Sequence, residues 1–294
     1  MPYARNQDVE LYVESFGDPT NPALVLVNGL GSQCINYPVA LIERFVDRGL
    51  FVARFDNRDV GLSTKFDSHR PDFHAFSEAL RAGRRPDVAY VLADMALDVV
   101  AVLDALNIER ANIFGMSMGG MIVQQTAIDH PHRVLTMTSV MSTTGDPDVG
   151  QPTKEALDAL YRKPATSRDE VIANALADSV IFGSPHHQDP DYIAARSAAA
   201  FDRCFHPEGV ARQLMAVRAS GSRSDALRKL STPTLVLHGD RDTLIDISGG
   251  RRTAQCVPGS TFVALEGMGH DLPVAFWDTI VEAVVDHATS TAID

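Results

Sequence analysis

The sequence predicts an α/β architecture, a mostly parallel central sheet with helices on both faces and a helical insertion. Three observations carry it. Continuous apolar runs such as Ala23 to Val27 and Phe51 to Phe55 read as strands buried on both faces, the condition of a parallel sheet. Helical runs alternate with them through the first half of the chain, as strand–helix–strand units do. The alternation stops at Ser142 and resumes near Thr234, so a helical stretch of roughly 90 residues interrupts one sheet.

The elements follow in order. Val9 to Glu14 alternates apolar and polar side chains, the pattern of a half-buried edge strand. Ala23 to Val27 runs into Asn28-Gly29, and Phe51 to Phe55 stops at Asp56. Tyr90 to Leu106 is the clearest helix, with Leu92, Met95, Val99, Val102, Leu103 and Leu106 at spacings of three and four. Asn112 to Gly115 is a short strand, Met118 to Asp129 a helix and Val134 to Val140 a buried strand. In the insertion, Glu170 to Ile181 and Asp191 to Phe201 read as helices, broken by Gly183-Ser184-Pro185 and Pro207. Strands return at Thr234 to Leu237 and Thr261 to Leu265, and a helix from about Pro273 to Ala288 closes the chain. The division is therefore residues 1–141 and 232–294 as two parts of one core, with 142–231 inserted between them.

Composition excludes several classes. In 294 residues, 26 basic against 38 acidic side chains leave a net charge of −12, which repels phosphate backbones and anionic membrane surfaces. Nucleic acid is not an expected partner. No apolar run approaches the roughly 20 residues that span a bilayer, so membrane insertion is not expected. The first 14 residues carry Arg5, Asp8, Glu10 and Glu14 and lack the apolar core of a signal peptide. The three cysteines, Cys34, Cys204 and Cys256, are odd in number and widely spaced, as free thiols in a reducing compartment are. A cytoplasmic protein is the expectation.

One motif carries chemistry. Gly115-Met116-Ser117-Met118-Gly119 follows a strand and opens a helix, the context that a G-x-S-x-G nucleophile elbow requires. The spacing has a steric cause: side chains two positions either side of the serine would clash in so tight a turn. The turn lifts the Ser117 hydroxyl above the sheet edge at a helix N-terminus, where negative charge is favoured. A serine hydroxyl needs a base. Among ten histidines, His270 stands out, because Gly267-Met268-Gly269-His270 directly follows the last strand and so lies at the sheet edge where open α/β sheets bind ligands. The base needs an orienting carboxylate. Asp240, Asp242 and Asp246 all follow the strand Thr234 to Leu237; Asp242, three residues past Gly239, is best placed to reach the His270 loop, while Asp240 supports the turn or pairs with Arg241. The order nucleophile, acid, histidine is then Ser117, Asp242, His270.

Two backbone donors are needed for an oxyanion. Met118 N–H follows the serine, and Leu30 N–H is flanked by glycines in Asn28-Gly29-Leu30-Gly31. Cys34 has no cationic neighbour in the sequence and reads as a packing thiol. His238 reads as a strand-end residue held by a backbone hydrogen bond. His186-His187 with Asp189 and Asp191 matches no zinc spacing and reads as a solvated loop.

Over nearly its full length the chain resembles the α/β-hydrolase fold superfamily. The Asn28-Gly29-Leu30-Gly31 turn, Asp56-Asn57-Arg58-Asp59-Val60-Gly61-Leu62-Ser63, the elbow, and the Gly239 to Asp242 and Gly269-His270 pair carry the resemblance. Phe55 to Ser63 and Gly115 to Gly120 are similar to the aclacinomycin methylesterase-like and actinobacterial lipase/carboxylesterase subgroup. Two positions depart: the turn begins Asn28-Gly29 rather than His-Gly, and Asp59 stands where Asp-x-Arg-Gly has glycine. The resemblance implies structural roles for Asp56 and Arg58, and a helical cap for 142–231. Of the cap's apolar side chains, Leu157, Leu160, Tyr161, Ile181, Phe182, Phe201, Phe205, Leu214 and Met215 are candidates to line a pocket, most of them packing the cap on the sheet.

A serine nucleophile disfavours haloalkane dehalogenase and epoxide hydrolase chemistry, which uses aspartate. It implies hydrolysis of a small-molecule carboxylic ester through an acyl-enzyme, with no metal or organic cofactor. Lactonases, carbon–carbon hydrolases and cofactor-free haloperoxidases or perhydrolases of the same superfamily use the same three residues and are the alternative. The sequence is compatible with a homo-oligomer.

Overall fold

The computed structural model describes residues 3–290. Among them eight strands form one sheet: β1 (Tyr3–Asn6), β2 (Val9–Phe16), β3 (Ala23–Val27), β4 (Phe51–Phe55), β5 (Ala111–Met116), β6 (Val134–Val140), β7 (Thr234–Gly239) and β8 (Thr261–Leu265). Their order is β1-β2-β4-β3-β5-β6-β7-β8. β2 pairs antiparallel with β1 and β4, and every pairing from β4 across to β8 is parallel. All five residues of β3 and of β4 are buried, as their apolar runs predict.

β2 departs from the expectation of an edge strand. Its alternating burial is as predicted, but β1 pairs outside it and takes the edge. Alternation reports that one face is wet and does not report how many neighbours a strand has. β1 itself, four residues reading Tyr-Ala-Arg-Asn, is too short and polar for a pattern to show.

In the first half lie α1 (Val39–Val46), α2 (Phe73–Arg81), α3 (Leu92–Ala105) and α4 (Met118–Asp129), and two more helices follow β7; all of these but α2 pack on the sheet. Between β6 and β7 lie α5 (Lys154–Leu160), α6 (Arg168–Phe182), α7 (Pro190–Arg203), α8 (Pro207–Ser220) and α9 (Ser224–Leu227). The closing pair are α10 (Ser248–Cys256) and α11 (Trp277–Ser290). Two apolar cores result. Met95 and Val99 of α3, Ile122 and Val123 of α4 and Cys256 of α10 pack on one face. Ile42 and Phe45 of α1 and Ile280 and Val284 of α11 pack on the other, with Trp277 buried beside them. No helix among the described residues is long and apolar enough to cross a membrane.

This topology positions the site. The chain steps from β3 out to β4, then crosses back to β5 on the other side of β3. The loops leaving β3 and β5 therefore diverge at the C-terminal edge, and that switch point is where a doubly wound sheet opens a crevice.

Candidate active site

Ser117 sits in the turn between β5 and α4 with φ 57° and ψ −120°, a left-handed conformation that a non-glycine residue adopts only when its surroundings impose it. The surroundings here are two close backbone approaches. A Cβ on Gly115 would lie 2.1 Å from the Gly119 carbonyl oxygen, and one on Gly119 would lie 2.1 Å from the Val27 carbonyl oxygen. The steric reason for both glycines is thus visible as contact distances. Ser117 N–H donates to Val140 O of β6 (2.9 Å), which fixes the elbow to the next strand.

The structure brings the three predicted side chains together from positions 117, 242 and 270. His270 Nε2 accepts the Ser117 hydroxyl at 2.9 Å. Its Nδ1–H donates to Asp242 Oδ2 at 2.7 Å. The other oxygen of Asp242 accepts the amides of Leu244 (2.9 Å) and Ile245 (2.8 Å), so the carboxylate is held on both sides. Burial opposes the ionisation of Asp242. The charge of His270 and hydrogen bonds from His238 and His270 overcome it, and hold the carboxyl well below the usual carboxylate range. An acid pinned as the anion fixes the imidazole tautomer that leaves Nε2 free to take a proton.

His238 is more than a strand-end residue. Its Nε2–H donates to Ile245 O (2.8 Å), as expected, and also lies 3.3 Å from Asp242 Oδ2. Two imidazoles therefore share one carboxylate. The spacing His238 to Asp242, four residues across a turn, was the available signal. Asp240 supports the turn, accepting Gly267 N–H at 2.7 Å.

Leu30 and Met118 both line the cavity that Ser117 faces. A Cβ on Gly29 would lie 3.2 Å from the Ser117 Cβ, which shows how closely the loop after β3 approaches the elbow. Met118 opens α4 and its amide is one of the donors a helix start leaves free. Asn28 is tied to the neighbouring strand end: its carbonyl accepts Asn57 Nδ2–H (2.9 Å), and its side-chain amide donates to Phe55 O (3.4 Å).

Among the described residues, two cavities border Ser117 and His270, and a third, about 520 Å³, borders Asp242. The larger, about 760 Å³, is bounded by Ser117, Leu30, Met118 and Met121 of the core and by Leu157, Leu160, Tyr161 and Leu214 of the insertion. The smaller, about 510 Å³, lies on the other side of His270, beneath Phe182, Tyr192 and Ile193. Of the other apolar candidates, Phe201 and Phe205 stack on each other at 4.7 Å, and Met215 is buried in packing. Ile181, Phe201, Phe205 and Met215 line neither cavity.

The Asp56 to Ser63 segment joins core to insertion. Asp56 accepts the amides of Cys34 (2.6 Å) and Leu62 (2.8 Å) and pairs with Arg203 at the end of α7 (2.7 Å). Arg58 pairs with buried Asp98 of α3 (2.6 Å). Asp59 has φ 72°, the left-handed backbone for which glycine is the usual occupant. Its carboxylate takes a bidentate contact from Arg212 of α8 (2.9 and 2.7 Å) and the hydroxyl of Tyr90 (2.6 Å). The departure from glycine thus supplies a buried ionic link to the insertion.

The reading of Cys34 needs one correction. A cation does stand beside it: Arg203 Nη2 is 3.5 Å from the sulfur. Sequence neighbours could not reveal a residue 169 positions away. Burial, reinforced by the Asp56 charge against the opposing Arg203, nonetheless pushes the thiol up to about 12 and disfavours the thiolate. His186 and His187 lie in the loop after α6, with the His187 ring against Phe276 (5.3 Å). Among the described residues no group of three His, Cys, Asp or Glu side chains is placed to hold a metal.

The model of the α/β-hydrolase fold family matches residues 22–274. The chain belongs to that family. Among α/β-hydrolases it is similar to the rhodomycin D methylesterase DauP of Streptomyces sp. (strain C5), 28% identical over 97% of both chains. The rhodomycin D methylesterase DnrP of Streptomyces peucetius is likewise 28% identical, over 98% of both. The solved enol-lactonase of Burkholderia xenovorans LB400 shares the fold with a TM-score of 0.75, at 23% identity over 98% of this chain and 100% of that one.

Proposed function

We propose that this protein is a serine hydrolase that cleaves carboxylic esters through an acyl-enzyme, with residues 142–231 as a cap over the site. The observation that carries the proposal is the unbroken hydrogen-bond chain Ser117–His270–Asp242 at the mouth of a cavity. Full-length similarity to two methylesterases supports an ester as the substrate class.

In this scheme His270 Nε2 takes the Ser117 proton as Oγ attacks the ester carbonyl. Asp242, held as the anion, stabilises the imidazolium that forms. The amides of Leu30 and Met118 receive the negative charge on the carbonyl oxygen. His270 then returns the proton to the leaving alcohol, and the acyl-enzyme forms on Ser117. In the second half a water gives its proton to His270, attacks the acyl carbon, and Ser117 leaves with the proton restored. The larger cavity adjoins Ser117 and both amides and suits the acyl part. The smaller borders His270 and is not lined by Ser117.

The test is Ser117→Ala. Turnover of a short nitrophenyl ester should fall by at least about a thousandfold with circular dichroism and melting midpoint unchanged. A rate close to wild type, or failure of a serine-directed phosphonate to label the wild-type protein at Ser117, overturns the proposal. A panel of methyl esters, lactones and peroxide-dependent halogenation on the same protein separates ester cleavage from the related activities that use these three residues.

A further inference from the structure

A helix ends with carbonyls that have no partner inside the helix. At the C-terminus of α6 these carbonyls are taken up by the two loops that carry the proposed base and its carboxylate. Ile181 O accepts the hydroxyl of Thr243, the residue after Asp242, at 2.8 Å. Phe182 O accepts the main-chain N–H of His270 itself at 2.5 Å. The next two residues continue the contact. Ser184 Oγ–H donates to Asp271 Oδ1 (2.5 Å) and Ser184 Oγ accepts Gly269 N–H (2.9 Å), so one hydroxyl bridges both sides of His270. Ser184 N–H donates to Asp271 Oδ2 (3.0 Å). The backbones are in van der Waals contact, since a Cβ on Gly269 would lie 2.4 Å from the Gly183 carbonyl carbon. The Phe182 ring meets the His270 ring edge to face at 6.4 Å.

We infer that residues 181–184 of the insertion position the catalytic pair, with Ser184 and Thr243 as positioning residues that set where His270 and Asp242 stand. This rests on the roles just proposed for His270 and Asp242. Neither Ser184 nor Thr243 belongs to the three-residue chain, and neither has a proton to give to substrate in the scheme above. Their hydroxyls act on geometry: remove them and the His270 loop loses the bridge between Gly269 and Asp271 and the Asp242 loop its tie to Ile181 O, while the bonds from His270 N–H to Phe182 O and from Ser184 N–H to Asp271 Oδ2 remain. Phe182 and Gly183 also line the smaller cavity, so the wall a ligand touches there is the wall that holds the base.

The experiment compares Ser184→Ala, Thr243→Val and the double variant with wild type on a short nitrophenyl ester. Misplacement of a catalytic group by about an ångström costs up to about 100-fold, so kcat of the double variant should fall by roughly 10- to 100-fold. KM should stay within about threefold, because no group that contacts ground-state substrate is removed. The rate of labelling by a serine-directed phosphonate should fall in step, and the downfield NMR resonance of the His270 Nδ1 proton should shift or broaden. Ser184→Thr, which keeps the hydroxyl, should restore most of the rate. The inference is overturned if kcat and labelling stay within about twofold of wild type. It is equally overturned if kcat falls only with the melting midpoint while the resonance is unchanged, which marks general destabilisation. Should Ser184→Ala fail to fold, Thr243→Val alone carries the same readouts. Wild-type protein that resists the phosphonate instead removes the ester-hydrolase reading, and the two failures are distinct.

Discussion

Helices α4 and α6 each hold one part of the candidate site, α4 opening on Ser117 and α6 ending on the His270 loop, and they are built on opposite terms. Nine of the 12 residues of α4 are buried, whereas none of the 15 in α6 reaches that class. The N-terminus of α4 presents Ser117, fixed by backbone contacts that leave no room for a Cβ at positions 115 and 119. The C-terminus of α6 holds the His270 loop largely through hydrogen bonds, with the Gly183–Gly269 backbone contact and the Phe182 ring beside them. Ser117, the proposed nucleophile, thus inherits its place from close packing, which is stiff. His270, the proposed base, takes part of its place from polar ties to an element with little buried surface, the kind of element that opens first.

The largest effect should come from the shared anchor of the two halves. Asp242→Asn keeps the shape of the side chain but presents an N–H where His270 needs an acceptor, and so favours the wrong tautomer. Such a change costs about 10⁴-fold in turnover in a serine–histidine–aspartate site. The same variant has a pH signature. Asp242 has a depressed value in the folded protein, so the stability it contributes is fully present above the ordinary carboxylate value near 4 and is lost as pH falls through the folded value. Wild type should therefore lose stability more steeply than Asp242→Asn between about pH 5 and pH 2 in urea unfolding. Parallel slopes would show that the carboxylate is not held as an anion by its two histidines.

A smaller effect is expected where the insertion is joined by charge. Arg212 and Asp59 are almost fully buried, at 2% and 0% side-chain exposure. Breaking such a pair from one side strands a charge and costs 3–5 kcal/mol in general. Asp59 keeps the donors Tyr90 Oη and Phe66 N–H, so Arg212→Met should cost about 3 kcal/mol, at the lower end of that range. Adding Asp59→Gly should recover most of the loss, because no charge is left unpaired and glycine takes φ 72° without strain. If the double variant is no more stable than the single one, Asp59 contributes through something other than its pairing with Arg212.

These cases also mark how far the sequence was legible. Ser117, Asp242 and His270 could be read because each sits at a fixed offset from a strand end, and strand ends are written in local apolar pattern and glycine. That the buried strands run parallel followed from their continuous apolar runs. What could not be read were the partners chosen across the fold. Arg203 beside Cys34, Arg212 on Asp59, and Ser184 on Asp271 are separated by 169, 153 and 87 positions. No periodicity encodes such a pairing. Asp59 was the exception in part, because a charged residue at a position where glycine is usual signals that something replaces the glycine's freedom. α6 hid for a related reason: with no buried face, its pattern told where a helix runs and nothing about what its end touches.

The smallest effect sharpens the contrast between ties that set geometry and ties that merely exist. Arg168 of α6 pairs with Asp202 of α7 through two contacts of 2.9 and 3.0 Å, within the ordinary hydrogen-bond range. Both side chains are about half exposed, at 46% and 57%. Water competes for each group and salt screens the pair, so contacts of this kind add little that can be measured. Arg168→Ala should leave kcat within about twofold of wild type and the melting midpoint indistinguishable. Ser184→Ala removes a hydroxyl just beyond the far end of the same helix and should be felt in kcat. If the two variants instead behaved alike, the ties at the end of α6 would carry no more positional information than a surface ion pair, and the base would take its place from the core alone.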